Sequence, residues 1–144
     1  MPARFQIVFD CRDPDSLARF WADALGYKMQ PPPPGYATWE DFLQARGVPE
    51  EDWGEASAIV DPGHTLPRVY FQRVPEPKTL KNRVHLDINT GVREGESDEE
   101  HRVTVAREVQ RLTDLGATMV EDHEGGHEHW VVMHDPEGNE FCVQ

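Results

Sequence analysis

The chain has 144 residues, with 14 Lys and Arg against 27 Asp and Glu, a formal net charge of −13. An acidic chain with scattered arginines offers no phosphate-binding patch, which excludes nucleic acid and anionic membrane surfaces as expected partners. Hydrophobic residues at 38% and charged residues at 28% suit a single globular domain over residues 1–144, and no apolar run reaches the roughly 18 residues that span a bilayer. Two cysteines, Cys11 and Cys142, are too few for a disulfide framework. The N-terminal MPARFQIVFD lacks the basic-then-apolar pattern of a signal peptide, so a cytoplasmic location is expected.

Arg4 to Asp10 is rich in β-branched and aromatic residues and reads as a strand. Asp13-Pro14 is an N-cap followed by a proline at the first helical position, and Leu17, Phe20, Trp21, Ala24 and Leu25 recur at helical spacing up to Gly26. Trp21 falls on that apolar stripe and is core. Tyr27 to Gln30 is a short strand. Pro31 to Gly35 has no N–H donors until the glycine and reads as a stiff extended loop. Thr38 caps a short helix through Gln44, and 49–55 is an acidic loop. Ala56–Asp61 and Arg68–Val74 are strands, 75–81 is a connector, and Asn82–Asn89 is a strand. A helix is expected from about Ser97 to Leu115, with Val105, Val109 and Leu112 on one face. Thr118–Glu121, Glu128–Met133 and Glu140–Val143 are the closing strands, with turns at Gly125-Gly126 and Pro136–Asn139.

The same order of elements occurs twice, and short matches support a repeat. Phe5–Phe9 matches Val84–Ile88, Ala24–Met29 matches Asp114–Met119, Val60–Gly63 matches His134–Gly138, and Tyr70–Arg73 matches Glu140–Val143. The fold class is α+β, with module one at 1–77 and module two at 78–144. Strand alternation places Phe5, Ile7 and Phe9 on one face and Arg4, Gln6, Val8 and Asp10 on the other. Its counterpart places Val84, Leu86 and Ile88 opposite Arg83, His85, Asp87 and Asn89. The apolar faces pack on the amphipathic helices. The polar faces either meet water or line a cup. The cup is favoured because Gln6 and His85 occupy equivalent repeat positions, as do Gln72 and Cys142. These four are the candidate ligand-binding residues.

Asp13-Pro14-x-x-Leu17-x-x-Phe20-Trp21, Leu25-Gly26-Tyr27, Leu115-Gly116-Ala117 and Asp135-Pro136-Glu137-Gly138-Asn139-Glu140-Phe141 resemble the vicinal oxygen chelate superfamily, with its glyoxalase I, bleomycin-resistance and extradiol-dioxygenase members. Pro75–Lys78 with Asn82–Asp87, and His129–Met133, resemble small glyoxalase-like proteins. The resemblance spans the chain. It implies two βαβββ modules forming an incomplete barrel around a cup-shaped cavity. It also implies a possible divalent metal acting as a Lewis acid on vicinal substrate oxygens. The family's ligand positions fall on Gln6, Gln72, His85 and Cys142. Cys142 stands where a glutamate is usual, so both carboxylates are missing. Zinc accepts imidazole and thiolate, whereas magnesium and manganese want carboxylate oxygen. No cofactor is certain from this set, and methylglyoxal–glutathione chemistry is not expected.

His85 and Asp87 share a strand face and are the candidate catalytic pair. Asp87 either orients the imidazole or acts as a base, or else is a strand-end carboxylate paired with an arginine. His127, Glu128 and His129 with His123 offer either a second metal site or an exposed hairpin, and the glycines before them favour the hairpin. Tyr36, Trp39, Trp53 and Trp130 could wall the cup, with the segment from Pro31 to Glu55 as a lid. The expected function is small-molecule binding in the cup, with lyase or isomerase chemistry. The alternative is a metal-free protein that sequesters a drug or metabolite. A homodimer is the expected assembly.

Overall fold

The computed structural model describes residues 1–91, 93–125 and 128–144. The turn expected at Gly125-Gly126 and the reading of His127 lie partly or wholly outside them. The chain divides into two compact units, Met1–Pro77 and Lys78–Gln144. Each is a βαβββ arrangement, and the fold is α+β. Among the described residues no helix is long and apolar enough to cross a membrane.

In the first unit, β1 (Ile7–Cys11) leads into α1 (Pro14–Leu25). Asp13 caps α1 by accepting from the Ser16 N–H at 3.1 Å, and Pro14 costs nothing where an N–H would be orphaned. Gly26 ends the helix at φ 69°, a conformation that a side chain would strain. The strands β2 (Lys28–Met29), β3 (Ala56–Val60) and β4 (Val69–Arg73) complete a sheet of order β1-β4-β3-β2. The short helix α2 (Trp39–Ala45), capped by Thr38, and a single 3₁₀ turn at Glu50–Asp52 lie between β2 and β3. Here β1 and β4 run parallel while the other pairs are antiparallel. The core is apolar and aromatic. Trp21 is 1% exposed, and its ring sits 5.4 Å from both Phe9 and Phe20, while Phe9 stacks on Phe71 at 5.3 Å.

The second unit repeats the plan with β5 (Asp87–Ile88), α3 (Asp98–Asp114), β6 (Thr118–Gly125), β7 (Glu128–His134) and β8 (Glu140–Val143), in the order β5-β8-β7-β6. Ser97 and Glu100 form a reciprocal capping box at the start of α3, and the Ser97 hydrogen bonds hold the Glu100 carboxyl below its usual range. Val105 and Leu112 are fully buried, whereas Val109 is only half-buried.

Three expectations about strands change. The strand expected over Asn82–Asn89 contracts to Asp87–Ile88, because the preceding residues bend away from the ladder, and Val84 is exposed instead of packed. Phe5 is likewise exposed, since β1 begins only at Ile7. The strand expected to stop at Glu121 continues to Gly125, because β7 pairs with it past a register irregularity between Met119 and Glu121.

The tight turn from β7 to β8 is built on one buried carboxylate. Asp135 accepts from the Glu137 N–H at 2.9 Å, from the Asn139 N–H at 2.9 Å, and from the Asn139 amide at 2.8 and 3.0 Å. Asp135 is 3% exposed, so removing its carboxylate orphans donors that water cannot reach. We expect Asp135→Ala to lower the unfolding free energy by about 3 kcal/mol, measured by urea denaturation. A loss below about 1 kcal/mol would show that the turn does not depend on this residue.

Candidate functional site

On a parallel ladder, residues at the same rung share a face. The registers place Asp10 beside Gln72 in unit one and Asp87 beside Cys142 in unit two. If Gln72 and Cys142 are equivalent, Asp87 therefore corresponds to Asp10, and His85 to Val8. The sequence match had set His85 against Gln6. A slip of two residues keeps every side chain on its face, so hydrophobic patterning does not detect it.

In unit one the two glutamines lie at opposite ends of the β1–β4 pair. Gln6 Oε1 accepts from Arg68 Nη1 at 2.8 Å, and Arg68 Nε donates to Gln30 Oε1 at 2.5 Å. The Arg68 guanidinium also lies over the Tyr70 ring at 5.1 Å. Four rungs away, roughly 13 Å along the strand, Gln72 Nε2 donates to Asp10 Oδ1 at 2.7 Å. The two amides do not share a centre, and each has a partner within its own unit.

Unit two brings its candidates together. His85 Nε2 is 3.2 Å from Asp87 Oδ1, and the ligand atoms of His85, Asp87 and Cys142 all lie within 4.8 Å of one another. His85 and Asp87 are exposed, and Cys142 is half-buried. Ladder bonds from the Cys142 N–H to Leu86 O and from the Gln144 N–H to Ile88 O, both 3.0 Å, hold the two strands in register. The segment leading to His85 is tied to the last strand by Glu140, which accepts from the Asn82 N–H at 2.8 Å and pairs with Lys78 at 3.2 Å. Burial raises the Glu140 pKa, but these bonds outweigh it and leave the carboxyl below its usual range.

Burial pushes the Cys142 thiol up, and the Asp87 charge and the hydrogen bond to Asp87 push it the same way, against a smaller opposing pull from Lys81. Cys142 is therefore a thiol at neutral pH, not a standing nucleophile. Asp87 has His85 and Cys142 as its neighbours, and among the described residues it is not paired with an arginine, the strand-end alternative.

The chemistry of the donor set limits which ion these side chains could hold. Unit one offers amides already engaged in hydrogen bonds. Unit two offers an imidazole, a carboxylate and a sulfur, which suit a zinc-class ion and not the oxygen-only shells of magnesium or calcium. The residues of unit two fit such an ion.

The aromatic residues take local roles. Trp39 Nε1 donates to Gln30 O at 2.8 Å, and Trp53 Nε1 to Val48 O at 3.0 Å. Phe42 packs edge-on to Tyr36 and Trp39. In unit two, Trp130 stacks on His123 at 5.1 Å. His129 is not an exposed hairpin residue as expected. It is 8% exposed, because alternation along β7 turns it to the same side as Val131 and Met133. Asp10, Glu140 and the His129–Asp122 pair went unassigned in the sequence reading. Asp10 already stood on the polar face with Gln6, which was the available signal.

The Glyoxalase-like domain family model matches residues 6–144. No curated protein matches by sequence. Solved structures share the fold. A glyoxalase/bleomycin resistance protein/dioxygenase family enzyme from Burkholderia phytofirmans is 15% identical, with TM-score 0.59 over 96% of this chain and 94% of that one. A possible glyoxalase from Bacillus cereus is 11% identical, with TM-score 0.60 over 100% and 99%. The fosfomycin resistance protein FosX from Listeria monocytogenes, complexed with Mn(II) and 1S,2S-dihydroxypropylphosphonic acid, is 10% identical, with TM-score 0.60 over 100% and 90%.

Removing the negative charge beside Cys142 should free its thiol. We expect Asp87→Asn to lower the thiol pKa and speed iodoacetamide alkylation several-fold at pH 8. The rate–pH profile should move to lower pH. An unmoved profile would mean that burial alone sets the thiol.

Proposed function

The chain belongs to the glyoxalase-like domain family of the vicinal oxygen chelate superfamily, and we propose that it binds a small oxygen-bearing molecule on the polar sheet face around His85, Asp87 and Cys142. The observation that carries this reading is the meeting of an imidazole, a carboxylate and a thiol on one face, where a merely solvated strand requires no such cluster.

In this reading His85 holds and moves the proton. Asp87 accepts from Nε2–H, which fixes the ring tautomer and leaves Nδ1 as the base or hydrogen-bond acceptor towards a ligand. That division of labour suits a lyase or isomerase that shifts a proton next to an oxygen. A zinc-class ion, when held by His85, Asp87 and Cys142, would supply Lewis-acid polarisation of ligand oxygens. The FosX neighbour was solved with Mn(II), but the thiol here calls for a softer ion.

A second reading has a specific observation behind it. The protonated thiol and its hydrogen bond to Asp87 favour an ion-free face that captures its ligand by hydrogen bonding alone, as a sequestering protein would. A cytoplasmic homodimer is proposed as the working form, to be measured by light scattering after size exclusion.

Cobalt(II) separates the two readings, because a thiolate–cobalt bond gives an intense near-ultraviolet charge-transfer band. Catalysis with an ion predicts one cobalt or zinc per chain, with the band lost in Cys142→Ser and binding weakened at least tenfold in His85→Ala. The sequestering reading predicts no band, together with ligand-induced rises in Tm that His85→Ala diminishes. If no band forms and no compound in a library of hydroxy acids, keto acids and phosphonates raises Tm, the binding proposal fails.

A further inference from the structure

Just before β4, unit one holds a positive charge in place without neutralising it. Arg68 and Arg102 are the half-buried arginines among the described residues. Arg102 lies beside two carboxylates, 3.7 Å from Glu99 and 3.4 Å from Glu124. Arg68 has no carboxylate partner among the described residues. Its partners are neutral: Gln30 Oε1 accepts from Nε, Gln6 Oε1 accepts from Nη1, and the Tyr70 ring lies 5.1 Å from the guanidinium. Amide dipoles and a π face orient a cation but do not cancel its charge.

The guanidinium keeps donors in reserve. The Nε proton and one Nη1 proton are bonded, which leaves the second on Nη1 and both on Nη2. Nη2 is not sealed from solvent, and neither is the Tyr70 hydroxyl, which has no hydrogen-bond partner among the described residues. A second cation stands on the same face. Lys28 pairs with Val60, Met29 with Ile59, and Ile59 with Val69. Ile59 and Val69 are fully buried on the helix side, so the next rung, carrying Lys28, Val60 and Arg68, faces away from the helices. Two strand spacings, about 10 Å, separate the Lys28 and Arg68 backbones, a gap that two long side chains can close. Lys28 is exposed and has no carboxylate partner among the described residues.

The carboxylates nearest in the chain are committed elsewhere. Asp61, just past β3, accepts from the Gly63, Thr65 and Leu66 N–H groups and the Thr65 hydroxyl inside its own loop. Asp10 sits at the far end of the face, bonded to Gln72. The net charge of −13 repels anions at long range, so an anion that binds must be held by local donors. Arg68 and Lys28 are such donors.

We propose that Arg68 and Lys28 form a binding site for a small organic oxyanion, a carboxylate or a phosphate-type group, on the polar face of unit one. Arg68 presents paired N–H groups to the anion's oxygens, and Lys28 adds a mobile point charge. Gln6, Gln30 and Tyr70 hold the guanidinium ready, which lowers the ordering cost of binding. The site shares no residue with the His85 cluster and does not rest on its reading.

Isothermal titration of the full chain with benzoate, phenylphosphonate and the neutral benzyl alcohol tests it. At least one acid should saturate one site per chain, with the alcohol at least tenfold weaker, and the tighter acid identifies the group. Arg68→Gln should weaken that acid at least tenfold, and Lys28→Gln about threefold. Lys28 is exposed, so its variant reads the site even if Arg68→Gln does not fold. The proposal is overturned if neither acid saturates, if the alcohol binds equally well, or if Lys28→Gln or a folded Arg68→Gln keeps full affinity.

Discussion

Parallel pairing of the first and last strands within each unit is the constraint from which the rest follows. A parallel pair needs a crossover, and α1 and α3 supply it, each from the end of the first strand. Once the register is set, Asp10 faces Gln72 and Asp87 faces Cys142 on the side of the sheet turned away from the helices. The helix side maintains that register. In unit one the Phe9–Trp21–Phe71 stack clamps β1 against α1 and β4. In unit two the Asp135 turn delivers β8, and Glu140 ties the approach to β5 onto it.

One architecture thus yields two chemistries. In unit one the amides of the polar face are taken up, the Gln72 amide by Asp10 and the Gln6 carbonyl by Arg68. In unit two a cysteine replaces the long amide. Its shorter side chain makes one hydrogen bond where glutamine can make several, and it leaves His85 and Asp87 exposed beside a thiol. The two units differ at the first strand as well, where the register sets His85 of unit two against Val8 of unit one, so the imidazole and the thiol both belong to unit two.

The helix interfaces differ as well. Apart from its capping proline, α1 buries Leu17, Phe20, Trp21 and three alanines, whereas α3 buries only Val105 and Leu112. Around the N-terminal half of α3, charged and polar groups accompany buried Val105. Arg102 lies 3.4 Å from Glu124, His101 lies near Glu96, and Asp122 holds His129. Polar groups kept from water need partners or they destabilise the fold. His101 Nδ1 and His129 Nδ1 are buried here without a hydrogen-bond partner among the described residues.

Much of the fold was legible from local chemistry. Asp13-Pro14 and Gly26 bounded α1 because caps act within a turn, the apolar spacing of Val105, Val109 and Leu112 placed α3, and the repeated element order implied two βαβββ units. The grouping of His85, Asp87 and Cys142 was partly legible, since alternation put the first two on one face and the repeat put the third nearby. Strand ends were less so, because the ladder stops where partners diverge, as before Asp87, and no residue at that point signals it. Sequence by itself determined which residues cap, turn and alternate, since those effects are decided within a few residues of chain. Tertiary structure alone decided the register that pairs Asp87 with Cys142, because a two-residue slip leaves the alternation intact. It also decided the burial of His129, because that depends on where a distant helix packs.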